Sequence, residues 1–200
     1  MKPTVIIREL YSPELVRSHP KVVFVYGDNM AGRGKGGQAV VRDEENVFGI
    51  PTKRDPRTHF SDLPDERGAL IEAVEVLTSI AKDHTLVFPE GGIGTGLAEL
   101  GRRSPRIKEE LDNLLLERFL YRNGAAAAFA MDAGGRMPLF NTWEAVTLAA
   151  ASWMPGRDVR VFQYRGSEVV IHLVRAVEGG GYWRLVYTHS PEREALPASA

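Results

Sequence analysis

Two glycine-rich segments, each after a short apolar run, carry the residue types of an anion-binding site. The first is KVVFVYGDNMAGRGKGGQAV, residues 21–40, and the second is TLVFPEGGIGTGLAEL, residues 85–100. Glycine permits left-handed backbone conformations and lets main-chain N–H groups approach a ligand closely, so Gly91, Gly92, Gly94 and Gly96 suit an anion nest at a strand end. Two such loops can wrap a diphosphate together. The pair therefore predicts a nucleotide held between strand ends.

Polar side chains beside these glycines could act on such a ligand, but each also has an ordinary structural role. Asp28 and Asn29 could face a ribose, or they could hydrogen-bond nearby backbone in a turn. Arg33 and Lys35 could bind phosphate, or they could remain solvated loop cations. Glu90 could orient a ribose or a water molecule, or it could cap a backbone amide. The residue types alone leave these alternatives open.

Composition excludes several classes of site. The 200 residues carry a formal net charge of −1, which gives no overall attraction to nucleic acid or acidic membranes. The chain has no cysteine, which excludes disulfides, thiolate nucleophiles and cysteine metal sites. Its 5 histidines show no HxxxH or HxH spacing. We therefore predict no metal and no resident cofactor.

Hydropathy predicts where the protein resides. No stretch approaches the roughly 18 apolar residues of a membrane span, and the N-terminus lacks the long apolar region of a signal peptide. We therefore expect a cytoplasmic protein without a membrane partner. Arginine outnumbers lysine and alanine clusters in places, which is typical of bacterial or phage genomes rich in G and C.

Predicted strands and helices alternate along the first half of the chain, and they must position the glycine loops. Short β-branched runs predict strands, and apolar residues at helical spacing predict helices, one with Asp65 as its N-cap and one opened by Ser104 and Pro105. The predicted strands are 4–7, 22–25, 47–51 and 85–88, and the predicted helices are 13–17, one beginning within 37–41, 66–82 and 105–120. Residues 1–121 therefore read as a three-layer α/β/α nucleotide-binding domain.

The second half predicts a smaller unit. Residues 122–138, rich in alanine and glycine, are interpreted as a linker or an added strand. Residues 139–190 predict a small α+β unit, in which Asn141 and Glu144 have capping-box spacing and three strands follow at 159–164, 169–174 and 182–187. The aromatic residues of this unit predict its core, and they are Trp143, Trp153, Tyr182, Trp183 and Tyr187. The sheet of the unit is a possible surface for a protein partner. Residues 191–200 are expected to be a flexible tail.

The glycine segments also carry a family resemblance. The order GDNMAGRGKGGQA, then FGIPTK at 48–53, then FPEGGIGTGLAEL resembles the macrodomain fold, which binds ADP-ribose. More narrowly, it is similar to the branch that contains the terminal ADP-ribose protein glycohydrolase and the bacterial antitoxins that remove ADP-ribose from DNA. The resemblance covers residues 20–106.

This resemblance implies a ligand-binding role for both loops. Asp28 and Asn29, after Gly27 at the end of a strand, would face the distal ribose of ADP-ribose or another NAD derivative. The first phosphate-side loop would be Gly32, Gly34, Lys35, Gly36 and Gly37. The second loop would cover the diphosphate with Gly91, Gly92, Ile93, Gly94, Thr95, Gly96 and Leu97. The implied partner is free ADP-ribose or an ADP-ribosylated macromolecule, with nucleic acid only as a modified substrate.

The resemblance also implies a catalytic position. Lys53 stands where the branch carries a lysine that attacks the anomeric carbon. The branch then has an aspartate after the leucine of the second loop, whereas this chain has Ala98, which cannot transfer a proton. We therefore place ligand binding first. The alternatives are a glycohydrolase, acting through Lys53 or a water held by Asn29 and Asp28 with Glu90 or Asp43 as base, and a non-catalytic interaction protein.

Overall fold

The chain folds into two compact units of mixed α/β class, which confirms the class predicted from the sequence. A computed structural model describes residues 2–176 and 183–189. The units are Met1–Ala126 and Ala127–Ala200. The boundary falls inside the segment interpreted as a linker or an added strand.

The first unit contains a parallel sheet with helices in the connections. Its strands run in the order β3-β2-β4-β1, and every neighbouring pair is parallel. The elements are β1 (Thr4–Ile7), α1 (Pro13–Ser18), β2 (Val22–Asn29), a 3-10 helix (Gly37–Val41), β3 (Val47–Lys53), α2 (Pro64–Ile80), β4 (Thr85–Pro89), α3 (Leu100–Arg103) and α4 (Pro105–Phe119). Each predicted strand and helix of this unit is present.

The apolar stripes of the helices form much of the core. Buried parallel strands read as continuous apolar runs, and β4 follows this rule because Leu86, Val87 and Phe88 are all buried. The predicted helical stripes are buried as well, except that Leu114 is half-buried. The buried members are Leu70, Val74, Leu77, Ala81, Ile107, Leu111, Leu115 and Phe119. Helix α2 packs against β3 and against α4. The glycine loops therefore start from strands that are packed into the core.

Helix α2 begins differently from the prediction. Asp65 is not the N-cap, because Pro64 takes the first helical position and Leu63 precedes the helix. Proline suits that position, since its missing N–H needs no partner there. The Glu66 carboxylate instead accepts from the main-chain N–H groups of Leu63 at 2.9 Å and Ser61 at 2.8 Å.

Helix α4 also has an unexpected cap. Ser104 precedes the helix as predicted, but its hydroxyl makes no hydrogen bond within the described residues. The cap comes from Asp62, whose carboxylate accepts from Ile107 N–H at 3.0 Å and Arg106 N–H at 3.4 Å. Asp62 adopts a positive φ of 59° to reach them.

The second unit is built on an antiparallel sheet of the order β6-β5-β7-β8-β9. Its elements are β5 (Phe129–Met131), β6 (Leu139–Phe140), α5 (Trp143–Trp153), β7 (Asp158–Arg165), β8 (Glu168–Ala176) and β9 (Trp183–His189). The sequence predicted three of these strands, since β5 and β6 are too short to show alternation. Strand β5 lies in the segment left open as linker or added strand.

Two details of the second unit differ from or extend the prediction. The N-cap of α5 is Thr142 rather than Asn141, because the Thr142 hydroxyl accepts from Ala145 N–H at 3.2 Å. The half-buried Trp143 ring lies 5.7 Å from Phe129 and 5.3 Å from His172. The predicted 191–200 tail and Tyr182 lie outside the described residues, as do the side chains of Trp183 and Tyr187.

Candidate anion-binding cleft

A cleft of about 240 Å³ opens at the carboxyl ends of β2, β3 and β4. Parallel strands bring their carboxyl ends to one edge of a sheet, so both glycine loops start there. Strand β2 pairs with β3 up to Asn29 and Lys53, with a bulge after Asp28. The lining residues are Gly27, Asp28, Asn29, Arg33, Gly34, Gly36, Gly37, Gln38, Ala39, Thr52, Lys53, Pro56, Gly92, Gly94, Gly96, Leu97 and Ala98.

Both loops offer main-chain donors to this cleft. Within the described part of the chain, several lining residues have a main-chain N–H with no hydrogen-bond acceptor in the protein. They are Gly34, Gly36, Gly37 and Gln38 in the first loop, and Gly94, Gly96, Leu97 and Ala98 in the second. Successive unpaired N–H groups in a turn conformation form the kind of concavity that binds anions. The two loops together can donate to an extended anion such as a diphosphate.

Gly94 shows why the second loop needs glycine. Its φ is +76°, a conformation that other residues rarely adopt. A Cβ on Gly94 would also collide with the side chain of Leu100, the first residue of α3. Leu100 is fully buried and its N–H bonds the Gly94 carbonyl at 3.0 Å, so the loop is fixed against the helix that follows it.

Gln38 connects the two loops, and sequence reasoning missed it. Its Oε1 accepts from Gly27 N–H at 3.0 Å, and its Nε2 donates to the Gly92 carbonyl at 3.0 Å. One side chain therefore joins the end of β2 to the start of the second loop. A polar residue directly after two glycines was the available signal, but glutamine gives no local indication of a partner 54 residues away.

Asp28 lines the cleft, but its carboxylate is occupied. It accepts from the Arg42 guanidinium, from the Tyr26 hydroxyl at 2.9 Å and from Asn29 N–H at 2.7 Å. Burial, and then the charge of Asp28, raise the pKa of Tyr26 above its ordinary value, so the hydroxyl stays a donor. Asp28 is thus placed to organise the end of β2 rather than to accept a proton from a substrate.

Asn29 closes the first loop. Its Nδ2 donates to the Arg33 carbonyl at 2.8 Å, and its Oδ1 accepts from Arg33 N–H at a long 3.5 Å. These bonds tie residues four apart, as asparagine does in many turns. The turn alternative left open by the sequence is therefore the role that the geometry supports for Asn29.

Lys53 lines the cleft. Its Nζ donates to the Pro56 carbonyl at 2.8 Å. Arg54, the neighbouring cation, turns away and binds Glu66 at 2.6 Å and Asp65 at 2.8 Å. At the position of the expected acid, Ala98 lines the cleft with no ionisable group.

Glu99 does not replace that acid. It is absent from the cleft lining, and its carboxylate binds Arg102 and, at 3.1 Å, Arg103. Arg102, followed by Arg103, lowers the pKa of Glu99 through these bonds. An exposed carboxylate held by two guanidinium groups is a poor general acid or base near neutral pH.

Six predicted site residues do not line the cleft: Gly32, Lys35, Glu90, Gly91, Ile93 and Thr95. Lys35 pairs with Asp43, whose pKa it lowers, so the cation and the candidate base engage each other. Glu90 pairs with Arg8 at 3.2 Å. The buried Ile93 and the Thr95 hydroxyl, which bonds the Gly91 carbonyl at 2.6 Å, shape the second loop from behind.

The charges of the cleft favour an anion. Arg33 and Lys53 line it, and the Asp28 carboxylate is paired with Arg42. Positive side chains attract a phosphate, and unpaired N–H groups donate hydrogen bonds to it, so both favour binding. Within the described residues, no group of histidine and carboxylate side chains is arranged to hold a metal ion. Nor does any helix described here combine the length and hydropathy of a membrane span.

The fold and site define an α/β domain with a cleft lined by two glycine loops, which is a candidate anion-binding site. Residues 6–114 match the model of a family of unknown function, DUF7831, and because this match spans more than half of the 200 residues the chain belongs to that family. The matched range includes every residue that lines the cleft. No curated protein and no solved structure gives a significant match.

Proposed function

We propose that the cleft binds ADP-ribose or a related NAD-derived nucleotide, and that the protein reads this group free or attached to a macromolecule. The observation that carries the proposal is the set of unpaired main-chain N–H groups that both loops bring to one cleft, at residues 34 and 36–38 and at residues 94 and 96–98. A diphosphate carries acceptor oxygens on two phosphorus atoms, which suits donors that come from two loops. The cations Arg33 and Lys53 support the same ligand class.

The size of the cleft supports recognition of the phosphates and one sugar. Ligand pockets generally enclose roughly 300–1,000 Å³. The cleft encloses about 240 Å³, so a whole dinucleotide would extend into its open side. Most of the binding free energy is then expected from the diphosphate and the ribose that lie between the loops.

The packing of the first unit supports a macrodomain-like three-layer arrangement. Helix α1 and the 3-10 helix share one apolar cluster with β2 and β4, whereas α2 and α4 pack together. The cluster contains Tyr11, Val16, Phe24, Tyr26, Ala39, Val41 and Val87. Helices on two sides of a parallel sheet are the arrangement that the sequence resemblance implies.

A glycohydrolase is the second candidate, and Lys53 is the observation that favours it. The amine lies at the cleft and could approach an anomeric carbon. Against fast turnover stand its hydrogen bond to Pro56 and the alanine at position 98. We therefore rank binding above hydrolysis.

Calorimetric titration tests the binding proposal. ADP-ribose is expected to bind at least about tenfold more tightly than AMP, because hydrogen bonds to a charged group contribute about 1.5–3 kcal/mol each and AMP lacks the second phosphate. Equal affinity for the two ligands, or no detectable binding of either at millimolar concentration, would contradict it. In the latter case the non-catalytic interaction protein becomes the better description.

A matched pair of valine variants tests whether the ligand lies between the loops. A Cβ at Gly96 or at Gly91 would meet no atom within 4 Å, and neither residue has a positive φ. Only Gly96 lines the cleft. Gly96→Val is therefore expected to weaken ADP-ribose binding by about tenfold or more, while Gly91→Val binds like the wild type. Equal effects of the two substitutions would place the ligand elsewhere.

A further inference from the structure

The second glycine loop is held from behind by the segment that follows α4. The side-chain amide of Asn123 pairs with the main chain of Ile93 through two hydrogen bonds: Ile93 N–H donates to Oδ1 at 2.6 Å, and Nδ2 donates to the Ile93 carbonyl at 3.0 Å. This is the pairing that a neighbouring strand would provide. Ile93 stands between Gly92 and Gly94, whose φ angles are +86° and +76°.

The orientation of that amide is itself fixed. Asn123 Nδ2 also donates to Asp112 Oδ1 at 2.8 Å, and the other oxygen of Asp112 accepts from Lys108. A carboxylate only accepts hydrogen bonds, so a flipped amide would set two acceptors against each other. Asp112 and Lys108 therefore keep the donor and acceptor of Asn123 directed at the matching groups of Ile93.

Close packing adds two more attachments beside Asn123. A Cβ on Gly92 would lie 2.8 Å from the Gly124 Cα, so the two backbones touch. The Tyr121 hydroxyl donates to the Pro89 carbonyl at 2.6 Å, and its ring stacks on Phe88 at 4.3 Å. Residues 121–124 thus hold the chain at the end of β4 and again at 92–93.

We propose that Asn123 is a positioning residue for the anion site: it presets the second loop so that the N–H groups of residues 94–98 converge on the ligand. The inference rests on the proposed function. It extends the site beyond the cleft lining and beyond the matched family range, which ends at residue 114. Preorganised donors bind more tightly because the ligand does not have to order them.

The first experiment compares Asn123→Ala with Asn113→Ala, an exposed asparagine on α4, in the full chain. The ADP-ribose Kd measured by calorimetry is expected to rise about tenfold in Asn123→Ala and to stay at the wild-type value in Asn113→Ala. A merely structural role would lower the melting temperature and the binding stoichiometry but would leave the Kd of the folded protein unchanged. An unchanged Kd overturns the proposal.

Asp112→Ala is a milder variant in case Asn123→Ala does not fold. It removes the oxygen that accepts from Asn123 Nδ2 but leaves both bonds to Ile93 possible, so the Kd is expected to rise roughly threefold. A Kd equal to that of the wild type would count against the positioning role.

Hydrogen exchange separates this inference from the proposed function. If the wild type binds no ADP-ribose, the proposed function fails, but the positioning of the loop can still be measured. The N–H groups of Glu99 and Leu100 bond the Gly96 and Gly94 carbonyls. Their exchange is expected to accelerate in Asn123→Ala and not in Asn113→Ala. Equal exchange in the two variants overturns the positioning role.

Discussion

Side chains at the cleft divide into those that hold the backbone and those that remain available to a ligand. The polar side-chain atoms of Gln38, Asn29 and Asp28 form hydrogen bonds to the main chain or to Arg42. The unpaired main-chain N–H groups and Arg33 are then the groups that we propose contact the ligand. A site of this composition suits recognition of a ligand by its charge and shape, and it offers few groups that can transfer a proton.

Substitution of Lys53 tests whether its amine takes part in hydrolysis. On mono-ADP-ribosylated protein and on ADP-ribosylated single-stranded DNA, the wild type and Lys53→Ala are expected to release ADP-ribose equally slowly. The reason is that an attacking amine needs a partner to take and return a proton, and Ala98 supplies none. The release of ADP-ribose, followed by chromatography, gives the rates.

Ala98→Asp is the informative companion variant. A gain of activity that disappears in the double variant with Lys53→Ala would show that the acid–base partner was the missing component. Fast hydrolysis by Lys53→Ala alone would instead exclude the lysine mechanism and favour attack by a water molecule. Rapid turnover of the wild type that depends on Lys53 would contradict our ranking of binding above hydrolysis.

Strand β3 fits against β2 only because one of its residues has no side chain. A Cβ on Gly49 would lie 2.8 Å from both the Cβ and the Oδ2 of Asp28, and 3.0 Å from the Tyr26 ring. Asp28 and Tyr26 cannot move easily, since each is bonded to the other and Asp28 also to Arg42. Glycine at position 49 therefore leaves room for the hydrogen-bonded side chains of Asp28 and Tyr26 at the end of β2.

Substitution of Gly49 tests this packing of β3 against β2. Gly49→Ala is expected to lower the free energy of unfolding by about 1–3 kcal/mol, the usual cost of overpacking. The matched control is Gly68→Ala in the exposed interior of α2, where a Cβ meets nothing within 4 Å. That change should raise the free energy of unfolding by about 0.5–1 kcal/mol, because alanine favours a helix. Urea denaturation measures both, and a destabilisation by Gly68→Ala equal to that by Gly49→Ala would refute the argument.

The cleft lies in the first unit, and the residues that pack behind its second loop lie near the C-terminal end of the same unit. The family range stops at residue 114, but Tyr121, Asn123 and Gly124 complete the packing behind the second loop. The division between the units follows at Ala126. A boundary set by the family match alone would therefore remove part of the site.

Two truncations test this boundary. A fragment of residues 1–126 is expected to fold and to bind ADP-ribose with the Kd of the full chain, because it keeps the cleft and its support. A fragment of residues 1–120 lacks the Tyr121 and Asn123 contacts and is expected to lose most of its affinity. Circular dichroism checks folding and calorimetry checks binding. Failure of the longer fragment to fold would show that the two units are not independent.

The sequence alone determined the parts of this protein that depend on local patterns. Buried parallel strands need apolar β-branched runs and helices need a stripe at helical spacing, so β1 to β4, α2 and α4 were predictable from their own residues. The glycine loops follow directly after two of those strands, and parallel strands end at the same edge. Their meeting at one cleft could therefore be expected before any contact was known.

The contacts that hold the site together join residues far apart in the chain. Gln38 bonds Gly92 across 54 residues, and Asn123 bonds Ile93 across 30. Glutamine and asparagine are common on any surface, so nothing near them in sequence indicates these partners. The helix caps from Asp62 and Thr142 are a similar case, because several nearby residues could cap each helix and the surrounding packing determines which one does. A hydrogen bond needs its partner within about 3 Å and in line, and for side chains far apart in the sequence the packing of the whole unit sets that geometry.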